Sequence, residues 1–135
     1  MKKSTLFLLL FALAAGLFYL YAKGYILADF PSVSPKEAYE RIQKDPQMPI
    51  VDVRTPQEFQ TGHLHGARLV PLQRLNAALE NGKLKDLKNK AFLVYCHSGM
   101  RSAAACRILR KAGLKPINMR GGISAWESEK LPIEK

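Results

Sequence analysis

Twenty residues, Ala91 to Arg110, constrain the chain more than any others. Ala91-Phe92-Leu93-Val94-Tyr95 is a short unbroken apolar run, the pattern of a strand buried in a sheet. Ala103 to Arg110 is rich in strong helix formers. Between them lies Cys96-His97-Ser98-Gly99-Met100-Arg101-Ser102. A strand that turns at once into a helix puts Cys96 at the carboxyl end of the strand, where α/β sheets place their ligand sites. Successive backbone N–H groups of such a loop converge on one point, and the helix dipole adds positive potential there. Gly99 lets the loop turn without a Cβ penalty. The chemistry expected here is a nucleophilic sulfur, held as thiolate in an anion-binding cup.

The flanking sequence repeats the same strand–helix grammar. Ser34-Pro35-Lys36-Glu37 has a capping serine, proline at the first helical position and glutamate at the capping-box position, and predicts a helix to about Lys44. Asp45-Pro46-Gln47-Met48-Pro49 breaks it, and Ile50-Val51-Asp52-Val53 is a β-branched strand. Thr55-Pro56-Gln57-Glu58 repeats the capping box and starts a short helix through about Gln60. Gly62 to Ala67 is a turn region, and Arg68-Leu69-Val70 a further strand. A helix with Leu72, Leu75, Ala78 and Leu79 on one face follows, ended by Asn81-Gly82, and 83–90 reads as a polar connector. Pro116 to Met119 is the last strand, and Gly121-Gly122 opens a helix around Trp126. Short strands alternating with helices predict an α/β fold, a mostly parallel sheet with helices on both faces.

Residues 4–22 carry no charge, with Lys2 and Lys3 before them and Lys23 after. Nineteen residues just cross a hydrocarbon core of about 30 Å as a helix. Ala12-Leu13-Ala14 has the form of a signal-peptide cleavage site, but cutting there would leave Gly16-Leu17-Phe18-Tyr19-Leu20 on the mature protein. An uncleaved single-pass anchor over 4–22 is therefore favoured, with 23–32 as linker and 33–135 as the domain. The short basic N-terminus places the domain on the extracytoplasmic side, although Lys23, Lys36 and Arg41 leave the cytoplasmic orientation open.

The formal charge is +10, which favours anionic partners or an anionic membrane face. The basic residues are scattered, without an aromatic-interleaved stripe, so no nucleic acid is expected. The two cysteines, ten apart, do not form a disulfide framework.

Asp52-Val53-Arg54, Glu58-Phe59, Gly62-His63-Leu64-His65-Gly66-Ala67, Pro71, the Cys96 loop, Gly121-Gly122 and Trp126 occur in this order and spacing, and together they resemble a single-domain rhodanese. The resemblance spans about Val33 to Leu131. It implies sulfurtransferase activity: Cys96 attacks the outer sulfur of thiosulfate or another sulfane donor, carries a persulfide, and yields the sulfur to cyanide or a thiol. No cofactor and no metal are implied. The partners expected are a small anionic sulfur donor, a thiol or cyanide acceptor that could be a protein, and the membrane.

Cys96 is the catalytic residue in this reading. Arg101 is expected to bind substrate, since its fork can donate two parallel hydrogen bonds to an oxyanion; the competing reading is a pairing with local carbonyls or a carboxylate. Ser98, Gly99 and Ser102 supply amide or hydroxyl donors. His97 either meets the incoming anion or points to solvent, and Met100 either lines the mouth or is exposed. The resemblance gives Asp52 and Arg54 a supporting role around the site, with Asp52 in a hydrogen-bond network. Glu58 is expected as a helix cap and ion-pair partner. His63 and His65 lack a completing ligand set and are read as structural or solvent-facing. Cys106 falls on an apolar helix face as an inert thiol, and Trp126 covers the core or the site's edge. A sulfur carrier or partner-binding module is the alternative function. A cysteine phosphatase or arsenate reductase fits less well: those related cups have five residues between Cys and Arg, whereas His97 to Met100 make four.

Overall fold

The computed structural model describes residues 2–135. Its sheet has five strands, β1 (Ser32–Val33), β2 (Ile50–Asp52), β3 (Ala67–Leu69), β4 (Ala91–Tyr95) and β5 (Lys115–Met119). They lie in the order β1-β5-β4-β2-β3, and every pair is parallel. Parallel neighbours need crossover connections. These are supplied by α2 (Pro35–Lys44), α3 (Pro56–Thr61), α4 (Leu75–Glu80) and α5 (Met100–Lys111), numbered after the N-terminal α1 (Lys3–Ala22); α6 (Gly122–Ser128) follows β5. Both predicted capping boxes start a helix, with Ser34 Oγ accepting from Glu37 N at 3.1 Å and Thr55 Oγ1 from Glu58 N at 3.2 Å.

Alternation along β4 divides the core into two layers. Phe92, Val94 and Cys96 pack with Leu75 and Ala78 of α4 and with Ala103, Ala105, Cys106 and Leu109 of α5. Leu93 and Tyr95 pack on the other face with Ala38 of α2 and with Ile123 and Trp126 of α6. From β2 the chain moves outward to β3, and from β4 it moves the other way to β5. The strand order therefore reverses between β2 and β4, and the crevice at their carboxyl ends is where such sheets bind ligands. Cys96 follows β4 there, and Val53-Arg54-Thr55 follows β2.

Three segments differ from expectation. Residues 83–90 form more than a polar connector: a 3-10 turn at Lys85–Leu87 buries Leu84 and Leu87, three apart and both turned to the core. Residues 23–32 were read as linker, yet Phe30 is buried and Ser32 pairs with Asn118 of β5. The third strand is Ala67–Leu69 in place of 68–70: it begins one residue early because Ala67 already pairs with Ile50 of β2, and Val70 N–H still donates to Asp52 O at 2.8 Å.

Helix α1 has 20 residues, with a mean hydropathy of 2.1 over its most apolar 18, and none of it is buried by the rest of the chain. By length and composition it is apolar enough to cross a membrane.

Phe30 tests where the cooperative unit begins. Phe30→Ala is expected to cost about 3–5 kcal/mol of unfolding free energy, as for a large buried ring. The check is urea unfolding of the full chain in detergent micelles, followed by fluorescence of Trp126, its one tryptophan. A loss below about 1 kcal/mol would put residues 24–33 outside that unit.

Candidate active site

The Cys96 loop is fixed from behind by α6. Ile123 N–H donates to Cys96 O at 2.9 Å and Ser124 N–H to His97 O at 3.0 Å. This approach explains Gly122. A Cβ there would lie 2.4 Å from both carbonyl oxygens, and its φ of +61° disfavours other residues. Gly99, at φ +102°, caps α5 in the left-handed region.

The sulfur sits inside the loop. Gly99 N–H donates to Cys96 Sγ at 3.0 Å, and the thiol lies 3.5 Å from Ser102 Oγ, which in turn donates to Gly99 O at 3.2 Å. Cys96 and Ser102 are buried, whereas His97, Ser98 and Met100 are exposed. Of the expected donors, then, Gly99 donates to the sulfur, Ser102 accepts from the thiol while giving its own proton to Gly99 O, and His97, Ser98 and Met100 form the outer surface of the loop.

Arg101 makes the carboxylate pairing. Its two terminal nitrogens donate to Glu58 Oε1 and Oε2 at 2.7 and 2.8 Å. Glu58 is itself held by α3, accepting from Thr55 N–H at 3.2 Å. The Arg101 hydrogen bonds lower the Glu58 carboxyl from 4.5 to about 2. Arg101 is raised in return, first by those bonds and further by the charges of Glu58, Cys96 and Asp52. Two of the five guanidinium N–H donors are thereby used.

Beneath the loop lies a buried ion pair. Arg54 Nε and one terminal nitrogen contact the Asp52 carboxylate at 2.7–3.1 Å, and Arg54 N–H donates to Asp52 Oδ1 at 2.9 Å. The same terminal nitrogen donates to Gly62 O at 2.7 Å. Burial works against the Arg54 charge, but the Asp52 hydrogen bonds and charge outweigh it and raise its pKa. The Arg54 guanidinium lies 5.5 Å from the Tyr95 ring centre, and Tyr95 OH accepts from Leu64 N–H at 3.1 Å. Burial pushes the Tyr95 phenol well above its ordinary value. Asp52 and Arg54 thus join the end of β2 to the turn at 62–64.

The remaining candidates lie apart from the cup. His63 stacks on Phe59 with ring centres 3.8 Å apart and its Nδ1 is 3.0 Å from Phe59 O, while His65 pairs with Glu134. Among the described residues no group of three or more His, Cys, Asp or Glu is arranged to hold a metal ion. Cys106 is fully buried in α5, where desolvation pushes its thiol far up, and neither cysteine is in a disulfide. Trp126 lies in the second core layer, its Nε1–H donating to Pro132 O at 2.9 Å and its ring edge-on to Tyr39.

One contact was not visible in the sequence. The Lys23 ammonium, at the end of α1, donates to Ser98 O across 75 residues. No local pattern marks such a pair.

Residues 34–129 match the family model described as rhodanese-like domain. YtwF of Bacillus subtilis, a sulfurtransferase by name, is 32% identical over 104 residues, covering 77% of this chain and 97% of that protein. MoeZ of Mycobacterium tuberculosis, an adenylyltransferase/sulfurtransferase by name, is 30% identical over 102 residues. The match covers 75% of this chain but only 26% of MoeZ, so the chain spans about a quarter of that relative. The crystal structure of a rhodanese-related protein from Thermoplasma volcanium superposes with a TM-score of 0.67 at 31% identity, over 78% of this chain and 98% of that one.

The Glu58–Arg101 pair makes stability depend on acid in a defined window. The folded protein holds Glu58 ionised down to about pH 2, whereas the unfolded chain protonates it near 4.5. Its contribution is complete above pH 4.5 and is lost as pH falls towards 2. Glu58→Gln should therefore be less stable than wild type at neutral pH, with the gap narrowing across that window in denaturant titrations. A gap of constant size from neutral pH to about pH 2.5 would show that the pair contributes nothing.

Proposed function

The chain belongs to the rhodanese-like family, and we propose that it transfers a sulfane sulfur through a persulfide on Cys96, with thiosulfate as a competent donor. A general role in sulfur transfer has the support of the family match and of relatives named as sulfurtransferases. The observation that carries the mechanism is the Gly99 N–H donating to Cys96 Sγ at 3.0 Å. A thiolate held by an amide at a helix N-terminus needs no partner base.

The first step makes one sulfur–sulfur bond and breaks another. The Cys96 thiolate attacks the outer sulfur of thiosulfate, the bond to the sulfonate sulfur breaks, and sulfite leaves with its electron pair. The charge now rests on the terminal sulfur of the persulfide, where the Gly99 amide and the start of α5 can hold it. In the second step cyanide or a thiolate attacks that terminal sulfur, and Cys96 is released as thiolate. The product is thiocyanate in one case and an acceptor persulfide in the other. This is covalent catalysis with ping-pong kinetics.

Arg101 is the anion-binding residue of this proposal. The pairing with Glu58 orients its guanidinium and leaves three N–H donors for the sulfonate end of thiosulfate. Ser102 supports the loop by its bond to Gly99 O. Helix α1 is proposed to anchor the domain to a membrane, its 20 residues spanning about 30 Å.

Intact-mass spectrometry before and after thiosulfate tests the reaction. The expected gain is one sulfur atom, about 32 Da, removed by cyanide or dithiothreitol and absent from Cys96→Ser. No gain in the wild-type chain would remove thiosulfate as donor, and a gain that persists in Cys96→Ser would overturn the mechanism. Loading without turnover on small acceptors would instead mark a carrier.

A further inference from the structure

The peptide group between Ser98 and Gly99 carries two hydrogen bonds of opposite sense. Its N–H donates to Cys96 Sγ at 3.0 Å, and its carbonyl accepts from the Lys23 ammonium. One amide therefore separates a side-chain cation from the sulfur. A cation on the carbonyl draws charge through the amide and strengthens the N–H as a donor, as linked hydrogen bonds polarise one another. The bond to the carbonyl is itself charge-assisted. It also fixes the peptide plane, and with it the direction of the N–H. The Lys23 stem reaches the same group: a Cβ at Gly99 would lie 3.9 Å from Lys23 Cδ.

Packing puts Lys23 there. Arg107 of α5 donates to Tyr21 O, and its guanidinium lies 4.0 Å from the Tyr21 ring centre and 5.7 Å from that of Phe30. Gly24 is buried at φ +80°, where a Cβ would be 3.1 Å from the Phe30 ring and 3.3 Å from Ala103 Cβ. Arg107 and Ala103 both belong to α5, the helix that the Cys96 loop opens. The end of the apolar helix and the loop are thus fastened to one element.

We propose that Lys23 is a positioning residue for Cys96, its ammonium orienting and polarising the Ser98–Gly99 peptide so that the Gly99 N–H holds the sulfur as a nucleophile. This rests on the reading of Cys96 as nucleophile. It makes reactivity at the sulfur depend on the docking of the end of α1 against α5.

The test is the rate of Cys96 alkylation by iodoacetamide in the full chain in detergent micelles, with Cys96 and Cys106 separated by peptide mass mapping. Wild type, Lys23→Met, Lys23→Gln and Lys23→Arg are compared, with Trp126 fluorescence as the check of folding. Lys23→Met and Lys23→Gln should each slow Cys96 about threefold to tenfold, the loss of a charge-assisted hydrogen bond felt through one amide. Lys23→Arg, which keeps the charge, should restore most of the rate. A Met variant at the wild-type rate, or an Arg variant as slow as Met, would overturn the proposal. So would a wild-type Cys96 that reacts no faster than buried Cys106. Alkylation needs no sulfur donor, which separates the two readings. A chain that keeps the Lys23 dependence but loads no sulfur from thiosulfate or from another sulfane donor overturns the sulfurtransferase reading alone. A chain that transfers sulfur without that dependence overturns this one.

Discussion

The site depends on a backbone contact between the Cys96 loop and the first turn of α6. Two amides there, Ile123 and Ser124, donate to the carbonyls of Cys96 and His97. Amides at a helix start have no partner within the helix, and carbonyls packed against another element are costly to leave unpaired, so one contact satisfies both. The contact is open only to glycine at 122, where any side chain would fall 2.4 Å from those oxygens. With these carbonyls committed to α6, the next amide inward, that of Gly99, is the one that meets the sulfur.

A second constraint lies under the loop. Asp52 and Arg54 are both buried, a costly arrangement unless each charge is closely bonded. Here the carboxylate receives the guanidinium and the Arg54 N–H, and the terminal nitrogen that meets Asp52 also donates to Gly62 O. The pair fixes the path of the chain from β2 into Thr55, whose capping box then fixes Glu58, and Glu58 orients Arg101. An interior ion pair thus acts on the cup through a helix cap and a second ion pair at the surface.

What was legible in the sequence was local. The capping boxes at Ser34 and Thr55, the apolar run at 91–95 and the helix formers after Ser102 each carry their signal within a few residues, and each element formed near its expected place. β1 was not legible, because a two-residue strand exists only by pairing with Asn118 and Met119. Leu84 and Leu87 were read as part of a polar stretch, since two apolar residues among lysines show no period. The Cys96 loop was legible as a unit, but its external partners were not. Glu58 is 43 residues from Arg101 and Lys23 is 75 from Ser98. Both pairs exist only after the sheet order brings the ends of β2 and β4, and the end of α1, to one place.

Those two distant pairs also give the +10 net charge its meaning at the site. Most of the basic side chains are exposed and scattered, and at physiological salt their fields fade over about 8 Å. Lys23 acts differently, because it is bonded to the peptide that holds the sulfur. Arg101 acts differently again. Its charge is balanced by Glu58, so in the proposed reaction its value to an arriving anion lies in orientation: a fork already held in one geometry loses less freedom when the anion binds. The groups proposed to act on the sulfur, Lys23, the Gly99 amide and the first turn of α5, are placed by the packing of α1 and α5 and by the turn of the loop rather than by composition.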